Sequence, residues 1–165
     1  MGAMSAASRK HTCPKPVWAA LEAIRRGETA DATESETLEF KEDPTFNPRS
    51  TNPQQAVIDK IIEAAVCLAN GTHAPTYIVV GVADKIPGVT AIKGTDINPT
   101  QLHHTIANKT QPPLTVHIQP LNYCDRRLLI IEIPATTSCH STTEGKILRR
   151  EGKQCIRLNN NEDKQ

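Results

Sequence analysis

Carboxylates and lysines are the residue types that act on a phosphodiester, and Glu34, Glu39, Asp84 and Lys41, two residues beyond the second acid, are among those this chain carries. Hard carboxylate oxygens gather Mg²⁺ or Mn²⁺, such a cation activates water and steadies charge on a transferring phosphate, and a lysine offsets what remains. Spacing sets a condition on this chemistry. Glu34 and Glu39 are five apart, which places them on opposite faces of a regular strand and about 140° apart around a helix. They converge only if a turn separates them. Glu39 then stands on the polar face of a strand, Glu34 enters from the preceding turn, and Asp84 ends a buried neighbouring strand. The opposing reading is that Thr33 and Glu36 form a Thr-x-x-Glu helix cap and the two glutamates are merely solvated. Spacing alone favours the cap.

A second group is basic. Lys146, Arg149, Arg150, Lys153 and Arg157 fall within one short segment, with Arg126 and Arg127 at an earlier turn and Lys109 as a possible extension. On a hairpin some of these share a face and follow a phosphate backbone, or they guard an edge hairpin against aggregation. The whole chain carries 19 basic and 18 acidic side chains, a formal net charge of +1. Only local segregation of charge can therefore attract a polyanion. Aromatic residues make up 3% of the chain, too few for a base-stacking platform, which favours reading backbone shape over reading bases.

Cys13, Cys67, Cys124, Cys139 and Cys155 are scattered without a CxxC pair. Free thiols in a reducing compartment are the simpler reading. His11-x-Cys13 and Cys139-His140 lack partner pairs at zinc spacing, so no zinc is expected. There is no glycine-rich phosphate loop, which argues against nucleotide hydrolysis. No apolar run approaches the ~20 residues that span a bilayer, and the start lacks the plan of a secretory signal. The expectation is a cytoplasmic protein with no membrane partner.

These groups need elements to position them. Val17, Trp18, Leu21 and Ile24 predict a helix over 14–27 with Gly27 as its stop, and Leu38 and Phe40 alternate with polar residues as in a short strand. Residues 44–53 read as a polar loop. A helix follows over 54–69, ended by Asn70-Gly71, then a nearly continuous β-branched run over 76–82 that suits a strand buried on both faces. A shorter helix is predicted over 99–108, strands over 114–118 and 127–133 around a turn at 122–125, and a closing hairpin around Glu151-Gly152. The aliphatic core and this order predict an α/β (α+β) fold, a mixed β-sheet flanked by helices, with 76–82 central and the Glu39 strand beside it. Residues 1–13 read as a tag remnant and mobile start, 14–158 as one domain, and 159–165 as a disordered tail.

Three segments carry a resemblance. Glu34-Ser35-Glu36-Thr37-Leu38-Glu39-Phe40-Lys41 is similar to an E-S-x-x-x-E-F-K opening; Leu68-Ala69-Asn70-Gly71 followed by Tyr77 to Asp84 is similar to F-A-N-x-x-G-G-x-(apolar)-G-V-D-D; and Leu129 to Pro134 with Gly145, Arg149 to Gly152 and Cys155 to Arg157 is similar to a closing strand and G-x-x-x-R-x-G segment. Together they resemble the Schlafen-type, Alba-like nucleic-acid-binding domain, in its bacterial style. Ala83 and the segment Thr72-His73-Ala74-Pro75 depart from the pattern. The resemblance implies an acidic catalytic site at Glu34, Glu39 and Asp84 and metal-dependent cleavage of structured RNA such as tRNA. It also implies an alternative, a non-catalytic DNA-binding module of a transcriptional regulator. A third reading is a dimerisation or interaction domain, in which a homodimer rebuilds the groove that eukaryotic relatives form from two lobes.

Overall fold

A computed structural model describes residues 13–44 and 53–158. The expectations for the chain start, for most of the polar loop and for the tail lie outside the described residues. Helix α1 (Lys15–Arg25) buries Val17, Leu21 and Ile24 of the stripe read from the sequence, with Ala20 completing the face where Trp18 is only partly buried, and the chain leaves it through Gly27 at φ +120°. A short α2 (Ala30–Thr33), not anticipated, precedes β1 (Leu38–Lys41). Then come α3 (Pro53–Gly71), β2 (Thr76–Val80), a 3-10 turn (Val89–Ala91), α4 (Pro99–Asn108), β3 (Thr110–Gln111), β4 (His117–Tyr123), β5 (Arg126–Ile133), β6 (Ser141–Thr142), β7 (Ile147–Glu151) and β8 (Gln154–Leu158). No helix among the described residues is long and apolar enough to cross a membrane.

The main sheet has the order β1-β2-β5-β4, parallel between β1 and β2 and antiparallel elsewhere. It is a mixed sheet flanked by helices, with β2 inside it and β1 on one rim. Strand periodicity divides its side chains. Ile78, Val80, Leu129, Ile131 and Ile133 pack towards α3 and α4, whereas Leu38, Phe40, Val79, Leu128 and Ile130 pack towards α1. Burial on both faces is why β2 reads as an unbroken β-branched run. The opposite rim, β4, carries Pro120 in its middle. The turn between β4 and β5 is two residues, Cys124 and Asp125, both at positive φ, as a tight hairpin requires.

The strand expected over 114–118 starts at His117 instead. Leu114 and Val116 are buried, but the Leu114 N–H goes to the Thr110 hydroxyl at 2.8 Å rather than to a neighbouring strand. Alternating burial there reflects a packed loop.

Strands β7 and β8 form the expected hairpin, docked by β7 on α3. The Asn-Gly pair at the end of α3 does more than stop the helix. The Asn70 amide donates to the carbonyls of His140 at 2.8 Å and Leu148 at 2.7 Å, and its oxygen accepts from the His140 N–H at 2.8 Å. A Cβ at Gly71 would lie 2.6 Å from the Arg150 Cβ, so only bare backbone lets β7 approach this closely.

The expectation of five free thiols is corrected. Cys67 of α3 and Cys155 of β8 are joined in a disulfide, with Cα atoms 5.9 Å apart and a sequence separation of 88; Cys13, Cys124 and Cys139 are free. Their partnership comes from the docking of the hairpin, which linear spacing does not reveal.

Candidate functional site

Because Leu38 and Phe40 turn towards α1, alternation sends Glu39 and Lys41 to the α3 side. Glu39 is buried there instead of standing on a wet face. One carboxylate oxygen meets the Arg150 guanidinium, and the other lies 3.4 Å from the Lys41 ammonium. Arg150 is itself 6% exposed, and its remaining donors go to the carbonyls of Ser35 (Nε at 3.1 Å, Nη2 at 2.9 Å) and Leu38 (Nη2 at 3.1 Å). Every branch of the fork is used inside the protein. The expectation that Arg150 contacts phosphate is therefore corrected: on β7, alternation turns Arg149 out and Arg150 in.

The turn that the Glu34–Glu39 spacing requires is present. Ser35 and Leu38 exchange backbone hydrogen bonds, at 3.1 Å from Ser35 N–H and 3.5 Å from Leu38 N–H, and this returns Glu34 to the rim of β1. Its carboxyl oxygen accepts from the Phe40 N–H at 2.9 Å. The alternative cap does not form. Thr29 caps α2 by accepting from the Ala32 N–H, and the Thr33 hydroxyl donates to the Ala30 carbonyl.

Burial pushes the Glu34 carboxyl up to about 8; the Phe40 N–H pulls it back, while the charge and hydrogen bond of Glu39 and the charge of Asp84 add to the rise. Asp84 lies at the surface just beyond β2. Such burial as its carboxyl has raises its pKa, Lys41 opposes, and Glu39, Asp31 and Glu42 add to the rise. Glu34, Glu39 and Asp84 thus share one electrostatic neighbourhood.

These acids suit Mg²⁺ or Mn²⁺ in kind, being hard oxygen donors that repel one another. They do not suit it in arrangement. Both oxygens of Glu39 are engaged by cations, and among the described residues no three His, Cys, Asp or Glu side chains form a metal-ligand group.

Beside Glu39, between β1, α3 and the hairpin, lies a cleft of about 320 Å³ lined by Glu39, Lys41, Lys60, Glu63, Arg150 and Lys153. The cations outnumber the acids. Lys60, Glu63, Ala64 and Cys67 recur along one face of α3 at helical spacing and form one wall. Nothing in the sequence singles out Lys60 and Glu63, because only the docked hairpin makes that helix face a wall. Lys153, in the hairpin turn, reaches the Asp31 carbonyl at 3.2 Å and its carboxylate at 3.4 Å.

The other expected cations do not line the cleft. Lys146 pairs with Glu63 at 2.7 Å, Arg149 pairs with Glu151 at 2.9 Å, and Arg157 is exposed on β8. Arg127 is structural, donating to the carbonyls of Thr95 and Ile97, and Arg126 lines a separate hollow with Lys93. Lys109 lines another hollow with Lys146. His140 is buried, its ring bonded to the Pro112 carbonyl and the Thr136 hydroxyl.

The family model described as Schlafen, AlbA_2 matches residues 34–159, from the first acid to just beyond β8. The chain belongs to the Schlafen, AlbA_2 family. The match begins at the acid whose carboxyl guards the rim of β1 and includes the Asn-Gly pair and Arg150, which meet where β7 docks on the end of α3. No curated protein matches the chain. Among solved structures, this Schlafen, AlbA_2 chain is similar to the DIP2311 protein of Corynebacterium diphtheriae, with a TM-score of 0.62 and 21% identity over 85% of this chain and 26% of that one. It therefore spans about a quarter of that protein's length and shares its fold. A weaker likeness is to the N-terminal domain of a RecG-related protein from Nitrosomonas europaea, with a TM-score of 0.47 and 15% identity over 67% of this chain and 72% of that one.

Proposed function

We propose that this Schlafen, AlbA_2 domain binds nucleic acid, structured RNA such as tRNA in the first place, by its phosphate backbone at the cleft between β1, α3 and the hairpin. The observation that carries this reading is the set Lys41, Lys60 and Lys153, brought from three distant parts of the chain to one concave surface. Phosphate oxygens are the ligands such ammonium groups take, and the buried Arg150–Glu39 pair fixes the floor on which Lys41 stands. Aromatic residues make up 3% of the chain, which favours recognition of backbone shape over base stacking.

The test is a titration of labelled tRNA and of duplex DNA against increasing salt. Lys60→Ala and Lys41→Ala should weaken binding and each lower the salt slope by about one, while Lys93→Ala, in the separate hollow, leaves both unchanged. Equal affinity of all variants would sink the cleft as the contact surface. Preference for duplex DNA over tRNA would favour the DNA-binding alternative.

A second reading is metal-dependent endoribonuclease action at Glu34, Glu39 and Asp84, with Mg²⁺ or Mn²⁺ as the cation. What supports it is the nearness of the three acids: burial raises Glu34 and Asp84 first, and the charge of Glu39 adds to both. Incubation of tRNA with Mn²⁺ or EDTA decides it. Cutting that needs Mn²⁺ and disappears in Asp84→Ala supports the nuclease; no cutting, or cutting unaffected by that substitution, rejects it.

A further inference from the structure

The Cys67–Cys155 disulfide stands in the wall of the cleft itself. Cys67, on α3, is 1% exposed and lies one helical turn beyond Glu63 and Ala64. Cys155 is exposed and pairs across the hairpin with Arg150, the residue that grips Glu39. The two strands of the hairpin are tied down very differently. β7 is anchored by Asn70 at Leu148 and by Arg150 at Ser35, Leu38 and Glu39. Among the described residues no hydrogen bond or ion pair joins a β8 side chain to α3; beyond its ladder with β7 and Leu158, which shares a hollow with Ala69 and Asn70 at the end of the helix, the disulfide is the tie between β8 and α3.

We propose that this disulfide is a redox latch on the cleft: oxidised, it holds β8 along the mouth; reduced, it releases β8 and opens the lysine-lined surface to a polyanion. This rests on the nucleic-acid reading of the cleft and adds its regulation. The reductant is a dithiol. One of its thiolates attacks the exposed Cys155 sulfur, the Sγ–Sγ bond breaks, and Cys67 leaves as a thiolate that takes up a proton. The positive charge of Lys41 and Lys60 along the same cleft favours that departing anion. The reductant's second thiol then attacks the mixed disulfide, freeing the Cys155 thiol. Two electrons and two protons have passed to the protein, and the dithiol ends as a disulfide.

Two measurements on the full chain, oxidised or treated with dithiothreitol, test the latch. Hydrogen exchange of the β8 amides should accelerate on reduction while β2 is unchanged, and affinity for labelled tRNA should tighten by at least about fivefold, the lower range of a coupling between sites. Cys155→Ser should show the reduced behaviour with or without dithiothreitol, and Cys139→Ser should respond like the unaltered chain. Unchanged exchange in β8 overturns the latch whether or not tRNA binds. Faster exchange with equal tRNA affinity in the two states also overturns it, since release would not open the cleft. Faster exchange with no tRNA bound in either state supports the release of β8 and places the failure on the nucleic-acid reading.

Discussion

Glu34 answers two demands at once: its carboxyl satisfies the Phe40 N–H at the rim of β1, and it stands within the field of Glu39 and Asp84. The folded chain consequently holds the Glu34 proton more tightly than the unfolded chain, with a pKa near 8 against an ordinary value of 4.5. A raised pKa contributes stability that is complete below the unfolded value and is lost as pH rises through the folded one. The midpoint of thermal unfolding should therefore fall as pH rises from about 5 to about 8, and Glu34→Gln, which keeps an acceptor for Phe40, should flatten that slope; parallel slopes would contradict it. Arg150 carries a second residue-scale expectation. Arg150→Ala strands a buried carboxylate with only Lys41 nearby, a loss of about 3–5 kcal/mol in urea unfolding. Adding Glu39→Gln to that variant should recover part of it, because the uncompensated charge is gone. Arg150→Lys should not substitute, since one ammonium cannot span the Ser35 and Leu38 carbonyls and Glu39 together.

At the scale of elements, the end of α3 and strand β7 are fitted to each other without a side chain between them. Gly71→Ala places a methyl group 2.6 Å from the Arg150 Cβ, and the hairpin must shift, at a cost of about 1–3 kcal/mol typical of overpacking. Denaturant unfolding reads the loss, and weaker tRNA binding reads the displaced cleft wall. This contact also shows what was legible beforehand. α1, α4 and β2 were visible because each repeats one burial rule over several residues, and the turn before β1 was demanded by the five-residue gap between Glu34 and Glu39. The direction of Arg150 was not visible, since Arg149 and Arg150 differ only in which face of a two-residue period they occupy. Lys60 was hidden for the same reason as the disulfide. A solvated helix face looks alike in sequence whether or not a hairpin later lies beside it.

For the whole molecule, the Cys67–Cys155 link closes a loop over a sequence separation of 88, from the middle of the domain to its final strand. Restricting so large a loop in the unfolded chain contributes about 4.6 kcal/mol in the chain-entropy account. Guanidinium unfolding with dithiothreitol should show a loss of that order, and Cys67→Ser should match it without reductant. A difference under about 1 kcal/mol would mean that native packing already supplies the restraint.

Finally, the main sheet is finished at both margins, by the carboxyl of Glu34 occupying a donor on one side and by the imino acid at position 120 removing one on the other. Neither border offers a continuous row of amides for a further strand to knit onto. This keeps the main sheet apart from the runaway stacking of unprotected β-structure.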